Sequence, residues 1–126
     1  MSGESYLKSR LRSIRIALDG LRQVLHTQQN ARIHAVVTLG VFLAAWALHL
    51  PSAEWVLLLL VVGLVWTAEI FNTAIEDLVD LVNPDHHPKA KRIKDISAGA
   101  VLFSVIVAIL IGLLILGPRI WSWITG

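Results

Sequence analysis

Three apolar runs alternate with short polar stretches along the chain: Ile33 to Leu50, Trp55 to Leu81 and Ile96 to Leu116. About 20 apolar residues, rising about 1.5 Å each, cross about 30 Å of hydrocarbon, so each run predicts a transmembrane helix, the first near the short limit. With their flanking turn residues the spans fall at 33–50, 55–82 and 88–116. Ahead of them Leu7, Leu11, Ile14, Leu18, Leu21 and Leu25 recur at alternating steps of four and three, which draws one apolar stripe on a helix over residues 5–27. Lys8, Arg12, Arg15, Asp19 and Arg22 fill much of its other surface. A basic amphipathic helix beside a membrane span lies most simply in the headgroup plane; a soluble partner-binding helix is the alternative. Its apolar residues are interleaved with arginines, so it does not read as a signal peptide. The expected fold is all-α and integral to the membrane, three transmembrane helices plus an N-terminal amphipathic surface helix, as a single domain over 1–126.

Pro51 breaks the chain between the first two spans, where the short connection allows only a tight antiparallel turn. Asn83, Pro84, Asp85, His86, His87 and Pro88 form a longer turn-rich connection, with Pro88 suited to the first turn of the last helix.

Charge orients the bundle. Lys8, Arg10, Arg12, Arg15, Arg22 and Arg32 precede the first span and Lys89, Lys91, Arg92 and Lys94 lie between the second and third, whereas the opposite side has only Arg119. The positive-inside rule puts the N-terminus and the 83–95 segment in the cytoplasm, and Trp55, Trp121 and Trp123 at the other interface. Composition agrees: 56% hydrophobic residues and a mean hydropathy of +0.68 exceed what a soluble domain needs. Without cysteine there is no disulfide, thiolate nucleophile or Cys-based metal site. A net charge of +2 without an aromatic-interleaved basic patch gives no nucleic-acid footprint.

The second span carries the chemistry. Glu69, Asn72, Glu76 and Asp80 stand at offsets 0, 3, 7 and 11. At about 100° per residue they fall within about 80° of one another, one polar face along three turns. Carboxylates inside a span are costly towards lipid and mark function; interhelical hydrogen bonding would account for Asn72 or Thr73 alone but not for the whole stripe. Counted from Trp55, Glu69 lies about 21 Å deep and Glu76 about 31 Å, against a core of about 30 Å. Glu69 is thus placed for proton transfer inside the hydrocarbon, and Glu76 and Asp80 at the water boundary, where a carboxylate can hold a hard cation such as Mg²⁺. That arrangement suits a lipid hydroxyl from above and a soluble phosphate donor from below. Lys94 and Asp95 enter the third span level with Glu76, and Lys94 suits either a salt bridge or nucleotide phosphates. No P-loop, Gly-rich kinase loop or kinase catalytic-loop signature is present. His34 reads as a headgroup or helix-packing residue without a catalytic role, and Trp46 and Trp66, too deep for the aromatic belts, as interhelical packing.

The segment Ala68-Glu69-Ile70-Phe71-Asn72-Thr73-Ala74-Ile75-Glu76-Asp77-Leu78-Val79-Asp80 resembles the signature of the bacterial diacylglycerol kinase family. His86-His87-Pro88, Lys91 and Lys94-Asp95-Ile96-Ser97-Ala98-Gly99-Ala100 follow at that family's spacing, and Asn30-Ala31-Arg32-Ile33-His34 resembles its undecaprenol kinase branch. The resemblance, over roughly residues 10 to 116, implies a homotrimer in the bacterial cytoplasmic membrane with active sites at subunit contacts, transferring the γ-phosphoryl group of ATP to undecaprenol or diacylglycerol with Mg²⁺. Glu69 would be the catalytic base, Asn72 a positioning residue, and Glu76 the metal ligand and a nucleotide contact. Lys94 and Asp95 would contact the nucleotide, with Asp85, His86 and His87 along it, and Glu69 and Ala98 would meet the acceptor. Asp80 completes the polar stripe. Two positions depart from the pattern. Gln28 stands where the family often has a glutamate as second metal and nucleotide contact, and Ile16 where it often has an aromatic residue.

Two other classes compete. A non-enzymatic small membrane subunit could use the acidic stripe for ion passage or assembly, although ion passage gives no reason for the Lys94-Asp95 pair and the His-containing loop at that depth. A soluble bundle binding two metals would need repeated Glu-x-x-His pairs, which the sequence lacks.

Overall fold

The computed structural model describes residues 3–85 and 87–126. The chain folds into four helices, α1 (Gly3–Thr27), α2 (Gln29–Ala47), α3 (Ser52–Val82) and α4 (Pro88–Thr125). The last three, of 19, 31 and 38 residues, are each long and apolar enough to cross a membrane. At about 1.5 Å per residue α3 and α4 run to about 46 and 57 Å, well beyond a core of about 30 Å, so both project past the hydrocarbon. α3 packs chiefly against α4, and α2 lies against both.

Each junction has a local cause. Gln28 alone separates α1 from α2, extended at φ −99°, ψ 122°, and its side chain makes no capping bond to α2. The pattern of apolar residues carries the first span to residue 50, but α2 stops at Ala47. His49 turns into the left-handed region at φ 51°. The His49 N–H then donates to the Trp46 carbonyl and the Leu50 N–H to that of Ala45, both at 3.1 Å. These are the paired bonds of a Schellman cap, which satisfies carbonyls a helix end leaves open. Leu50 is apolar because it folds back into a cluster with Ala45, Leu58 and Leu116, not because it continues the helix.

α3 starts at Ser52 behind Pro51, three residues before the apolar run, with Glu54 in the first turn where the helix dipole favours an acid. α4 likewise runs on past residue 116 through Pro118. Proline costs one backbone bond there, and the next residue ties the extension down: Arg119 donates from Nε and Nη2 to the two carboxylate oxygens of Glu54, at 3.1 and 2.7 Å. Arg119, which the sequence leaves alone at its end of the spans, is therefore paired. Trp55 packs against Phe42 with ring centroids 5.7 Å apart. Trp46, read from its depth as a packing residue, is instead 74% exposed; it sits on the lateral surface, where depth along the helix says nothing of direction.

Candidate functional site

The polar face of α3 turns inward where it is deepest. Glu69 is 1% exposed, and Asn72 and Thr73 are buried beside it. Thr73 donates its hydroxyl to the Glu69 backbone carbonyl at 3.0 Å, the usual way for a helix to absorb a buried threonine. Asn72 Nδ2 donates to Glu76 Oε1 at 3.0 Å, and Asn72 Oδ1 accepts from the Ser97 hydroxyl of α4 at 2.7 Å. The same hydroxyl also lies 2.9 Å from the Lys94 carbonyl, so one proton serves both. The bond from Ser97 fixes which way the amide points, and the amide fixes one oxygen of Glu76. Glu76 is half-buried.

His34 enters from α2. Its Nε2 stands 3.6 Å from Glu69 Oε2, and its ring meets the Trp66 ring edge-on at 6.5 Å and 67°. Trp66 is held in turn by its indole N–H donating to Thr38 Oγ1 at 3.1 Å. An apolar groove of about 350 Å³ runs from His34 along Thr38, Val41, Leu58, Val65 and Leu116 between α2, α3 and α4.

Lower down, where α3 and α4 leave the apolar zone, a cleft of about 540 Å³ is lined by Asp80, Asn83, Asp85, His87, Lys91 and Lys94. Lys94 pairs with Asp80 across the two helices, and Lys91 with Asp95 along α4. The start of α4 borders this cleft, capped by His87, whose Nδ1 accepts from the Lys89 N–H at 3.1 Å, with Pro88 in the first turn. A helix N-terminus with two lysines is a ready anion site. Glu69 lies about 10 Å above Glu76 along the helix axis, so the sealed carboxylate and the charged cleft are separate stations on one face.

Of the residues singled out in the sequence, Glu69, Asn72 and Glu76 share one face of α3, on which Asn72 and Glu76 are hydrogen-bonded, and Asp80, Asp85, His87 and Lys94 share the cleft. Asp95 is turned to Lys91, and Ala98 is exposed on α4. His86 lies outside the described residues. Gln28 is half-buried at the α1–α2 elbow, with no hydrogen bond to Glu76 among the described residues. Nor do the described residues contain a group of three or more His, Cys, Asp or Glu able to hold a metal. Mg²⁺ takes one or two protein oxygens and completes its octahedron with phosphates and water, and Glu76 and the amide oxygen of Gln28 are oxygen donors of the kind it takes. Two contacts were not read from the sequence: His34, read there as a headgroup or helix-packing residue, stands at Glu69, and Ser97 bonds Asn72. Ser97 follows directly on Lys94-Asp95-Ile96, but only packing shows which side of α4 meets Asn72.

The chain matches the model of the prokaryotic diacylglycerol kinase family over residues 15–116. It is 37% identical over 101 residues to the undecaprenol kinase of Bacillus subtilis (strain 168), a match spanning 80% of this chain and 82% of that one. With the diacylglycerol kinase of Synechocystis sp. it shares 41% identity over 111 residues, 87% of this chain but 63% of that longer one. With the diacylglycerol kinase of Escherichia coli (strain K12) it shares 39% over 92 residues, 72% of this chain and 75% of the other.

Proposed function

The chain belongs to the prokaryotic diacylglycerol kinase family and is a membrane lipid kinase, and from that premise we propose that it transfers the γ-phosphoryl group of ATP to a lipid alcohol, undecaprenol or diacylglycerol, using Glu69 as the base. The observation that carries the assignment is the vertical order of the α3 face: a carboxylate sealed from water at the level of the apolar groove and, about two turns below it, a half-buried carboxylate held by Asn72 above a lysine-lined cleft.

The acceptor's chain lies in apolar surface continuous with the groove, and its hydroxyl reaches Glu69. The hydroxyl oxygen attacks the γ-phosphorus as its proton passes to the Glu69 carboxylate, and the bond from the γ-phosphorus to the β–γ bridging oxygen breaks, releasing ADP. Lys94 leaves Asp80 for the phosphates, a charge-for-charge exchange at a partly exposed site. Asp85, His86 and His87 line the nucleotide, and Asp95 reaches it once freed from Lys91. Glu76 and Gln28 would hold Mg²⁺, which when bound neutralises charge on the β- and γ-oxygens. Holding both substrates in line supplies much of the rate, because phosphoryl transfer asks mainly for position and charge.

The subunit is proposed to work as a homotrimer in the cytoplasmic membrane with its N-terminus inside. It exposes 9718 Å², whereas a compact chain of its mass exposes about 6,700 Å². Much of that excess is lateral apolar surface for lipid and for neighbouring subunits. α1 leaves its stripe open, with exposure falling from 64% at Leu7 to 37% at Leu25. It therefore docks at its C-terminal end and rests its apolar face on the membrane surface.

The test is a panel of acceptors given to purified protein with ATP and Mg²⁺. Phosphorylation of undecaprenol, diacylglycerol or both is expected, the Bacillus subtilis match favouring undecaprenol. ATP hydrolysis without any lipid phosphate would contradict the reading.

A further inference from the structure

A base that acts once per turnover must lose its proton before the next. Glu69 has no direct route to water: its side chain is 2% exposed, the Thr73 hydroxyl donates to the Glu69 backbone carbonyl and the Asn72 amide is bonded to Glu76 and Ser97. The group that meets its carboxylate is His34, at 3.6 Å, with a side chain 17% exposed. His34 Nε2 and Glu69 Oε2 are both buried, and neither has a hydrogen-bond partner among the described residues. Buried polar atoms are rarely left so, and 3.6 Å lies just beyond the usual reach of about 3.2 Å, a gap that a shift of a few tenths of an ångström closes. The ring is held against Trp66, and Trp66 is tied to Thr38. Of the other charged groups of this end, Glu76 bonds Asn72, Lys94 pairs with Asp80 and Lys91 with Asp95, all further down, while Arg32, Asp77 and Arg92 are exposed.

We infer that His34 is a positioning residue that holds the Glu69 carboxylate in register and relays its proton out of the bundle. The inference rests on Glu69 being the base. The lipid hydroxyl gives its proton to Glu69 as the new O–P bond forms. Neutral His34, with a hydrogen on Nδ1, takes that proton on the Nε2 lone pair. The pair is then carboxylate and imidazolium, and the imidazolium releases one proton to water on its exposed side, restoring both groups. No oxidant or further reactant is needed, and imidazole is the side chain that takes up and yields protons near neutral pH.

The test compares wild type with His34→Gln, His34→Ala and Glu69→Gln, each assembled in lipid micelles with undecaprenol, ATP and Mg²⁺. Both His34 variants are expected to lose about tenfold in kcat, less than the 10²–10⁴ a general base supplies, with the KM for ATP within about twofold of wild type. Free imidazole at tens of millimolar should restore His34→Ala by about fivefold and leave Glu69→Gln unchanged. A packing role would not respond to imidazole. His34 variants at wild-type rate, or a folded His34→Ala that imidazole does not restore, overturn the relay while Glu69→Gln remains inactive. Glu69→Gln at wild-type rate overturns the base and the relay together.

Discussion

Ser97 on α4 donates to Asn72 on α3 at 2.7 Å, and that bond between helices sets the direction of the amide that holds Glu76. Replacing Ser97 by alanine leaves Asn72 Oδ1 buried without a donor, and the amide loses its reason to point its nitrogen at Glu76. Hydrogen bonds between membrane helices are worth about 0.6–2 kcal/mol, so Ser97→Ala should unfold only slightly more easily. Turnover should fall about tenfold, the lower range for a partner that orients a metal-side ligand. Thermal unfolding and steady-state rates of the purified variant check both.

Lys94→Met removes the proposed phosphate contact and leaves Asp80, 63% exposed, facing water. An exposed pair of this kind contributes about 0–1 kcal/mol, so the fold should hold. The KM for ATP should rise about tenfold or more, the cost of a charge-assisted hydrogen bond of about 1.5–3 kcal/mol. An ATP titration at saturating lipid measures it.

Gln28→Glu restores a charged ligand at the α1–α2 elbow and should lower the Mg²⁺ concentration needed for half-maximal rate; Glu76→Gln should raise it. Rate against free Mg²⁺, with both variants beside wild type, gives the two shifts in opposite directions.

The helices and the polar face of α3 were legible because each depends on one helix's own periodicity. Glu69, Asn72 and Glu76 share a face whatever surrounds them, and the apolar runs announce the spans. What stayed hidden depends on contacts between helices. His34 lies 35 residues before Glu69 in the chain, and no spacing rule links a residue on α2 to one on α3. The bond from Ser97 has the same character, and depth alone could not tell that Trp46 faces away from the other helices of its own chain. Helix ends strayed where an apolar residue served a cap instead of a span, as at Leu50.

His49 occupies the left-handed position of the α2 cap, where glycine is the usual residue and an L side chain costs roughly 1–2 kcal/mol. Its side chain is exposed, so nothing packs on it to repay that cost. His49→Gly should raise stability by about 0.5–1 kcal/mol after the extra freedom of the unfolded chain is counted, with activity unchanged. Thermal unfolding in one detergent, beside a lipid phosphorylation assay, decides it.

Glu69 carries the central claim, being the only residue asked to accept the acceptor's proton. Glu69→Gln keeps the shape of the side chain but cannot take up that proton at any working pH. The variant should assemble and bind ATP with little change in KM, because the nucleotide cleft lies about 10 Å along α3. Its thermal stability should stay level or rise, since a buried ionisable group is removed. The direct measurement is kcat for lipid phosphorylation by purified Glu69→Gln at saturating ATP, Mg²⁺ and undecaprenol. A fall of about 10² or more is expected, and a rate within about threefold of wild type would contradict the assignment of Glu69 as the base.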